Sequence, residues 1–406
     1  MKKIILTLVM SASIMLTMAA DLYVNGSGNA NTYPTIQGAV NAANSGDNIY
    51  VATVGTYSEN VTITNKSLFI IAAVAAEEFT LSGSFTLSPG TGNEVTIIGM
   101  YNGNVTASGY GTVNLISSFI SSISNTSGTL KMNVYDCEVT NAFSIDNGSV
   151  KGCTILGGLT INSDAGSTGD TIRIMGNHIE DGLNWNSSYA YFEICNNYIE
   201  FNCSSNCSYP RAIYVSSMQT TPGGSNLISN NTLISSVYNT SSNSSYRPHG
   251  IYFGNFSNGQ NLVVVNNYIY VQSSYTTSSS YNGPAIYSAY SMSNALVANN
   301  YWYSSQGLSQ NFTNSSLVNN GTSSVSWTYN STTGVISNAG SNMGLDQIEY
   351  RDINNTRNDI GTSGGPHAWS NYNTTTGKAA VFNLELPFQL YIGGNHNIKA
   401  KGFHKN

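Results

Sequence analysis

Through the middle of this chain apolar and polar residues alternate, and the alternation breaks repeatedly at an asparagine. The phrase reads Ile174-Met175-Gly176-Asn177-His178-Ile179, then Ile194-Cys195-Asn196-Asn197-Tyr198-Ile199, Ile228-Ser229-Asn230-Asn231-Thr232-Leu233, Val264-Val265-Asn266-Asn267-Tyr268-Ile269 and Val297-Ala298-Asn299-Asn300-Tyr301-Trp302. The same frame is readable at residues 134–139 and 150–155, where Cys137 and Cys153 stand in the asparagine's place, and it fades at Asn320. Intervals of roughly 16 to 36 residues between these anchors are too long for a ladder of hairpins and fit one turn of a solenoid. Period-two alternation places Ile174, Ile194, Ile228, Val264 and Val297 on the inward face of one parallel strand family. Equivalent residues then stack coil over coil. Asn177, Asn197, Asn231, Asn267 and Asn300 are expected to form an inward turn ladder, each amide bonding to the next and so satisfying a buried polar group. On the outer face Arg173 is expected over Glu193, an exposed pair worth ~0.5 kcal/mol.

A second repeat marks another strand of the same coils: Pro210-Arg211-Ala212-Ile213-Tyr214, Pro248-His249-Gly250-Ile251-Tyr252 and Gly283-Pro284-Ala285-Ile286-Tyr287. Between the two families lie expansions at residues 201–209, 236–246 and 272–282, rich in Tyr, Ser, Thr and Asn. Coils stacked in register should present these loops on one side, where added function usually resides.

Ahead of the repeats, Ile36, Ala39, Val40 and Ala43 fall on one helical face, and Ser45-Gly46-Asp47 ends that helix. Strand material follows at residues 49–51, 55–57, 60–63 and 68–71. Such a helix would serve as a lid over the open first end of a strand stack, which otherwise exposes unpaired backbone groups. The run Thr35-Ile36-Gln37-Gly38-Ala39-Val40, with residues 46–51, 55–63 and 66–68, resembles the amino-terminal cap and first coil of right-handed parallel β-helix proteins of the pectate-lyase-like superfamily. Asn338-Ala339-Gly340, Arg357-Asn358-Asp359-Ile360-Gly361 and Gly364-Gly365-Pro366 are similar to the closing coil of many secreted bacterial β-helix proteins. The resemblance brackets nearly the whole chain and implies the fold. It says little of activity, because the superfamily contains lyases, hydrolases, esterases and adhesins.

Lys2 and Lys3, the apolar run at residues 4–18 and then Ala19-Ala20 read as a secretory signal peptide, residues 1–20, cleaved before Asp21. No later segment resembles a membrane span. Only 8% of residues are charged, and the net charge of −6 provides no basic surface for nucleic acid. Low charge with regular alternation argues for strands and against disorder. Among the five cysteines, Cys203 and Cys207 flank a short loop and could close a disulfide in an oxidising compartment. No His or acidic residue stands between or just beyond them, so no metal site is read there.

Catalytic β-helices acting on acidic polysaccharides need clustered ionisable groups. No Asp or Glu occurs in residues 201–345, which carry the longest loops. At the upstream border Glu180 and Glu200 each stand three residues beyond a ladder asparagine and could meet on successive coils. Arg211 and His249 share one position of the second repeat. These four are the catalytic candidates; two stacked carboxylates would raise one another's pKa or bind a cation. The alternative chemistry is recognition: Tyr209, Tyr238, Tyr246, Tyr275 and Tyr281, in or beside the loops, offer flat apolar faces among hydroxyls and amides suited to sugar rings.

The expectation is therefore an exported all-β protein. Its fold is a single-stranded right-handed parallel β-helix over residues 21–370, with a helical cap and a small β module at residues 371–406. Strands of that module are expected near residues 379–386, 389–392 and 397–401. Its expected role is non-catalytic adhesion, structural presentation or glycan binding at the cell surface or outside the cell, without a cofactor or metal. Polysaccharide lyase is the alternative, and self-association into a fibre a further one.

Overall fold

The computed structural model describes residues 19–25, 31–74, 77–162, 169–203, 210–221, 223–237, 247–254, 256, 258, 261–273, 283–322, 328–330, 335–337, 342–347, 350–352, 354, 356–368, 378–385 and 399–405. The alternation read from the sequence becomes ladders of parallel strands coiled around an apolar interior. The first ladder has fourteen strands, from Thr32–Tyr33 and Asp21–Val24 at one end to Ser316–Val318 at the other. A second and a third begin at Thr56–Tyr57 and Asn60–Thr64. They merge where Met100–Ala107 and Phe119–Asn125 run long enough to pair in both, and separate again at Glu138–Val139 and Phe143–Ile145. Each coil thus contributes to the first ladder, turns at the asparagine, and continues through the second and third. This is a parallel β-helix.

Register follows the repeat. Ile174, Ile194, Ile228, Val264 and Val297 are Cα partners in succession and are fully buried. The asparagine ladder is built as expected and runs one step further. Side-chain amides donate from Asn177 to Asn197 (2.9 Å), Asn197 to Asn231 (3.0 Å), Asn231 to Asn267 (2.9 Å), Asn267 to Asn300 (2.9 Å) and Asn300 to Asn320 (3.1 Å). Each accepting oxygen also takes the backbone N–H of the preceding asparagine, as in Asn197 N–H to Asn231 Oδ1 at 2.9 Å. The remaining amide hydrogen reaches a carbonyl of the preceding coil, Ile194 for Asn231 at 2.8 Å. Every donor and acceptor of the buried amide is used. Upstream the column continues as Cys153, whose N–H donates to Asn177 Oδ1 at 2.9 Å, and its thiol turns to backbone carbonyls instead.

The residue before each ladder asparagine explains the doublet. Asn196, Asn230, Asn266, Asn299 and Asn319 have φ between 50° and 57°, the left-handed region that asparagine tolerates better than other side chains. The first asparagine makes the corner; the second bonds the coils.

At the amino end a helix spans Ile36–Ala42 and buries Ile36, Ala39 and Val40. Its exposed backbone groups are met by the coil it lies on. The Glu59 carboxylate accepts from the N–H groups of Ile36 and Gln37 (2.8 and 2.9 Å), and Lys66 Nζ donates to the carbonyls of Val40 and Ala43 (2.9 and 2.7 Å). An acid at the N-terminus and a cation at the C-terminus also suit the helix dipole.

Residues 357–366 do not form the closing coil that the resemblance implies. With residues 342–345 they run back along the outside of the asparagine corner. Asn299 Nδ2 donates to the Met343 carbonyl (3.2 Å), and Asn266 Oδ1 accepts from Leu345 N–H (2.9 Å). Asn230 Nδ2 meets Asn358 Oδ1 (2.7 Å), and Asn196 Nδ2 reaches the Thr362 and Gly364 carbonyls (3.1 and 2.6 Å). Ile360, 1% exposed, packs on Tyr268. This strap buries an outward column, Met175, Cys195, Ser229, Val265 and Ala298, that would otherwise face water. Residues 338–340 lie outside the described residues.

In the carboxy-terminal segment, Lys378–Glu385 and Lys399–Lys405 pair antiparallel with a bulge between Val381 and Asn383. The strand expected near residues 389–392 lies outside the described residues.

Asn231→Leu removes an acceptor for two donors of Asn197 and leaves Asn267 Oδ1 and the Ile194 carbonyl short of partners. The cost should be about 3 kcal/mol or more, measured as a lower urea midpoint, whereas the exposed pair-breaking change Arg173→Ala should cost about 0.5 kcal/mol.

Candidate functional site

Residues separated by two along a strand share a face, so His178 and Glu180 both project outward around inward Ile179. On the next coil Tyr198 is the partner of His178, and Glu200 follows Tyr198 at the same spacing. Stacking therefore brings one imidazole and two carboxylates together. His178 Nε2 lies 3.3 Å from Glu200 Oε1 and 3.9 Å from Glu180 Oε1. The three ligand atoms all fall within 4.8 Å of one another. The other oxygen of Glu200 is fixed by Asn202 Nδ2 (2.7 Å) and the Tyr198 hydroxyl (3.3 Å).

Stacking the two glutamates does not raise Glu200. The hydrogen bond from His178 holds its carboxyl below the usual carboxylate range against the opposing effect of burial, with Asn202 and Tyr198 assisting. Burial, reinforced by the Glu200 charge, pushes the Tyr198 phenol up. Sequence reasoning found the two glutamates and missed His178. The signal was present, since His178 stands at the first outward position after the ladder asparagine and shares its strand face with Glu180.

Arg211 and His249 are Cα partners on the third ladder, as the second repeat implies, but their side chains enter an aromatic stack. The Arg211 guanidinium lies 4.0 and 4.2 Å from the ring centres of Tyr214 and Tyr252. His249, 8% exposed, sits against Tyr252 and Tyr287 and places Nδ1 3.1 Å from the Pro284 carbonyl. Burial drives its pKa down to about 4, with Arg211 and Arg247 adding to the shift. The four candidates thus divide two and two: the glutamates join His178, and His249 is a buried, neutral packing residue.

A second polar feature lies on the outer face of the first ladder, where a groove of about 560 Å³ crosses five successive strands. Its floor is a chain of hydrogen bonds along the coils. Asn114 Nδ2 donates to Glu94 Oε1 (2.5 Å), Asn133 Nδ2 to Asn114 Oδ1 (3.0 Å), and Ser149 Oγ to Asn133 Oδ1 (2.9 Å). Tyr135 shares its hydroxyl with Ser149 (2.9 Å), and Asn147 Nδ2 donates to Asp170 (3.1 Å). Lys131, Lys151 and Arg173 supply the cations. Arg173 is paired with Glu193 at 2.7 Å. Lys151 is different: its ammonium lies 5.8 Å from the Tyr135 ring centre and has no hydrogen-bond acceptor among the described residues. Burial, and after it the nearby Arg173 charge, lowers its pKa, while Glu193 opposes the shift.

All five loop tyrosines, Tyr209, Tyr238, Tyr246, Tyr275 and Tyr281, lie outside the described residues. The corner from which their segments depart is fixed, because Cys203, Val237 and Ser273 are in-register neighbours on successive coils. Cys203 is disulfide-bonded, Cys207 lies outside the described residues, and Cys137, Cys153 and Cys195 are buried free thiols.

A histidine whose folded pKa is depressed from 6.5 to about 4 costs stability in acid. Between these values the unfolded chain binds a proton that the folded chain refuses, so stability is full above about pH 6.5 and falls as the pH drops towards 4, by roughly 3 kcal/mol. Urea unfolding at pH 7.5 and 4.5 should show a smaller difference for His249→Gln than for the parent. Across the whole chain, no protein-family model, no curated protein and no solved structure gives a significant match, so a functional reading rests on this geometry.

Proposed function

We propose that this is an exported β-helix protein, of the pectate-lyase-like kind, that binds an acidic polysaccharide lengthwise in the groove on its first ladder. The observation that carries the reading is Lys151. A half-buried ammonium without an acceptor is costly to the folded chain, and an anionic ligand offsets that cost. The rest of the groove suits a sugar polymer. Amides and hydroxyls of Asn114, Asn133, Ser149 and Tyr135 line it, carboxylates of Glu94 and Asp170 can accept from sugar hydroxyls, and five strands at ~4.8 Å spacing span roughly 19 Å, several sugar units in length. Binding without cleavage fits an adhesion or matrix role, to which the Tyr-rich segments could add contacts.

A second reading is favoured by the same lysine. A lowered pKa is what a base for β-elimination at a uronate requires, with Arg173 beside it to neutralise the carboxylate. Both readings are tested together. Affinity electrophoresis in polygalacturonate or alginate should retard the parent, and Lys151→Met should weaken retention about tenfold or more. The same substitution should leave the melting temperature unchanged or raise it, because it removes a buried charge. No absorbance from unsaturated products is expected. Product that vanishes in Lys151→Met would replace the binding protein with a lyase, and retention unaltered by that change would refute the groove as the binding site.

A further inference from the structure

We propose that His178, Glu180 and Glu200 form a binding site for a divalent first-row transition-metal ion of the zinc type, bridging two successive coils. The geometry is the argument. Metal–ligand bonds of ~2.0–2.1 Å at tetrahedral angles hold ligand atoms about 3.3 Å apart. The Nε2–Oε1 separations here are 3.3 Å to Glu200 and 3.9 Å to Glu180, so little movement closes the set around one ion. Binding displaces the proton between His178 Nε2 and Glu200 Oε1, and the imidazole, protonated on Nδ1, then presents its Nε2 lone pair to the ion.

The surroundings support this assignment over a simple ion pair. Glu200 uses one oxygen for Asn202 and Tyr198, which leaves Oε1 aimed at the imidazole, and such outer partners orient ligating carboxylates. The His178 ring is held edge-on to Tyr198, with centres 5.0 Å apart. Side-chain exposures of 16% for His178 and 20% for Glu200 make a partly desolvated pair, whereas Glu180 at 42% leaves the set open to water. Three protein ligands with an open side is the arrangement of a site that keeps a position for water or another ligand. An imidazole in the set selects against calcium and magnesium, which prefer oxygen ligands throughout.

The site is on the second ladder and the groove on the first, so neither reading depends on the other. Untagged full chain, freed of metal with chelator and dialysed, is titrated with Co(II) and with Zn(II) by calorimetry, with visible absorption recorded for Co(II). One ion per chain and the absorption bands of low-coordinate Co(II) are expected, with a higher melting temperature and no response to Ca(II). His178→Ala should weaken binding roughly tenfold or more. Glu180→Gln, at the most exposed of the three positions, should do the same and serves if the first variant fails to fold. Absence of uptake, an equal response to Ca(II), or uptake unchanged in both variants would overturn the proposal.

Discussion

The column of asparagine amides is the constraint on which this structure depends. A parallel stack gains its stability from apolar side chains inside, but dispersion and hydrophobic burial are tolerant of sliding. An amide that must find two donors for its oxygen and two acceptors for its nitrogen is not. From Asn177 to Asn320 each coil can sit in only one position relative to the next without stranding buried polar groups. The outward residues inherit that register. His178 meets Glu200, and Arg173 meets Glu193, because the ladder inside has already fixed which residues are neighbours.

The corner asparagines give the same turn a second use. A left-handed residue is needed there, and asparagine supplies the backbone conformation along with an outward amide. Asn196, Asn230, Asn266 and Asn299 use that amide to hold residues 343–345 and 358–364, chain that returns along the stack from beyond its last coils. The fit is uneven: Asn266 Nδ2 and Asn299 Oδ1 are buried without a partner among the described residues, while Asn196 and Asn230 are well satisfied. Attachment is therefore strongest at the end of the strap nearest the charged coils, where Pro366 and His367 close a small pocket with Glu193 and Cys195.

How much of this could be read from sequence depended on the range over which each signal repeats. Inward Ile and Val positions, the ladder asparagines and the helix at residues 36–42 are periodic or local, and they were legible with boundaries correct to a residue or two. The strap was not, because its partners stand 44 to 168 residues away and the Arg357-Asn358-Asp359-Ile360-Gly361 run looks like one more coil. Glu180 and Glu200 were paired correctly by counting from the ladder. His178 was less legible because it has no acidic or basic counterpart at the same position of neighbouring coils, and the shared register position of Arg211 and His249 does not reveal the aromatic stack around them. Lys151 has no repeat to announce it; its significance comes from burial and from what its neighbours fail to offer.

Charge placement along the chain sharpens that point. Coils downstream of residue 201 carry long uncharged insertions, whereas the compact coils before it carry the acids and bases on outward ladder faces. At a coil spacing of ~4.8 Å an outward charge always has close neighbours above and below, so an unmatched one is expensive and sequence change would readily remove it. Most are matched within the stack: Glu94 to Asn114, Glu193 to Arg173, Glu200 to His178 and Asn202, Asp170 to Asn147. Against that pattern Lys151, half-buried between Tyr135 and Met175 on adjoining coils and lowered in pKa by its surroundings, has no hydrogen-bond acceptor among the described residues. In the proposed reading an anionic ligand in the groove supplies the acceptor that the described residues do not offer Lys151.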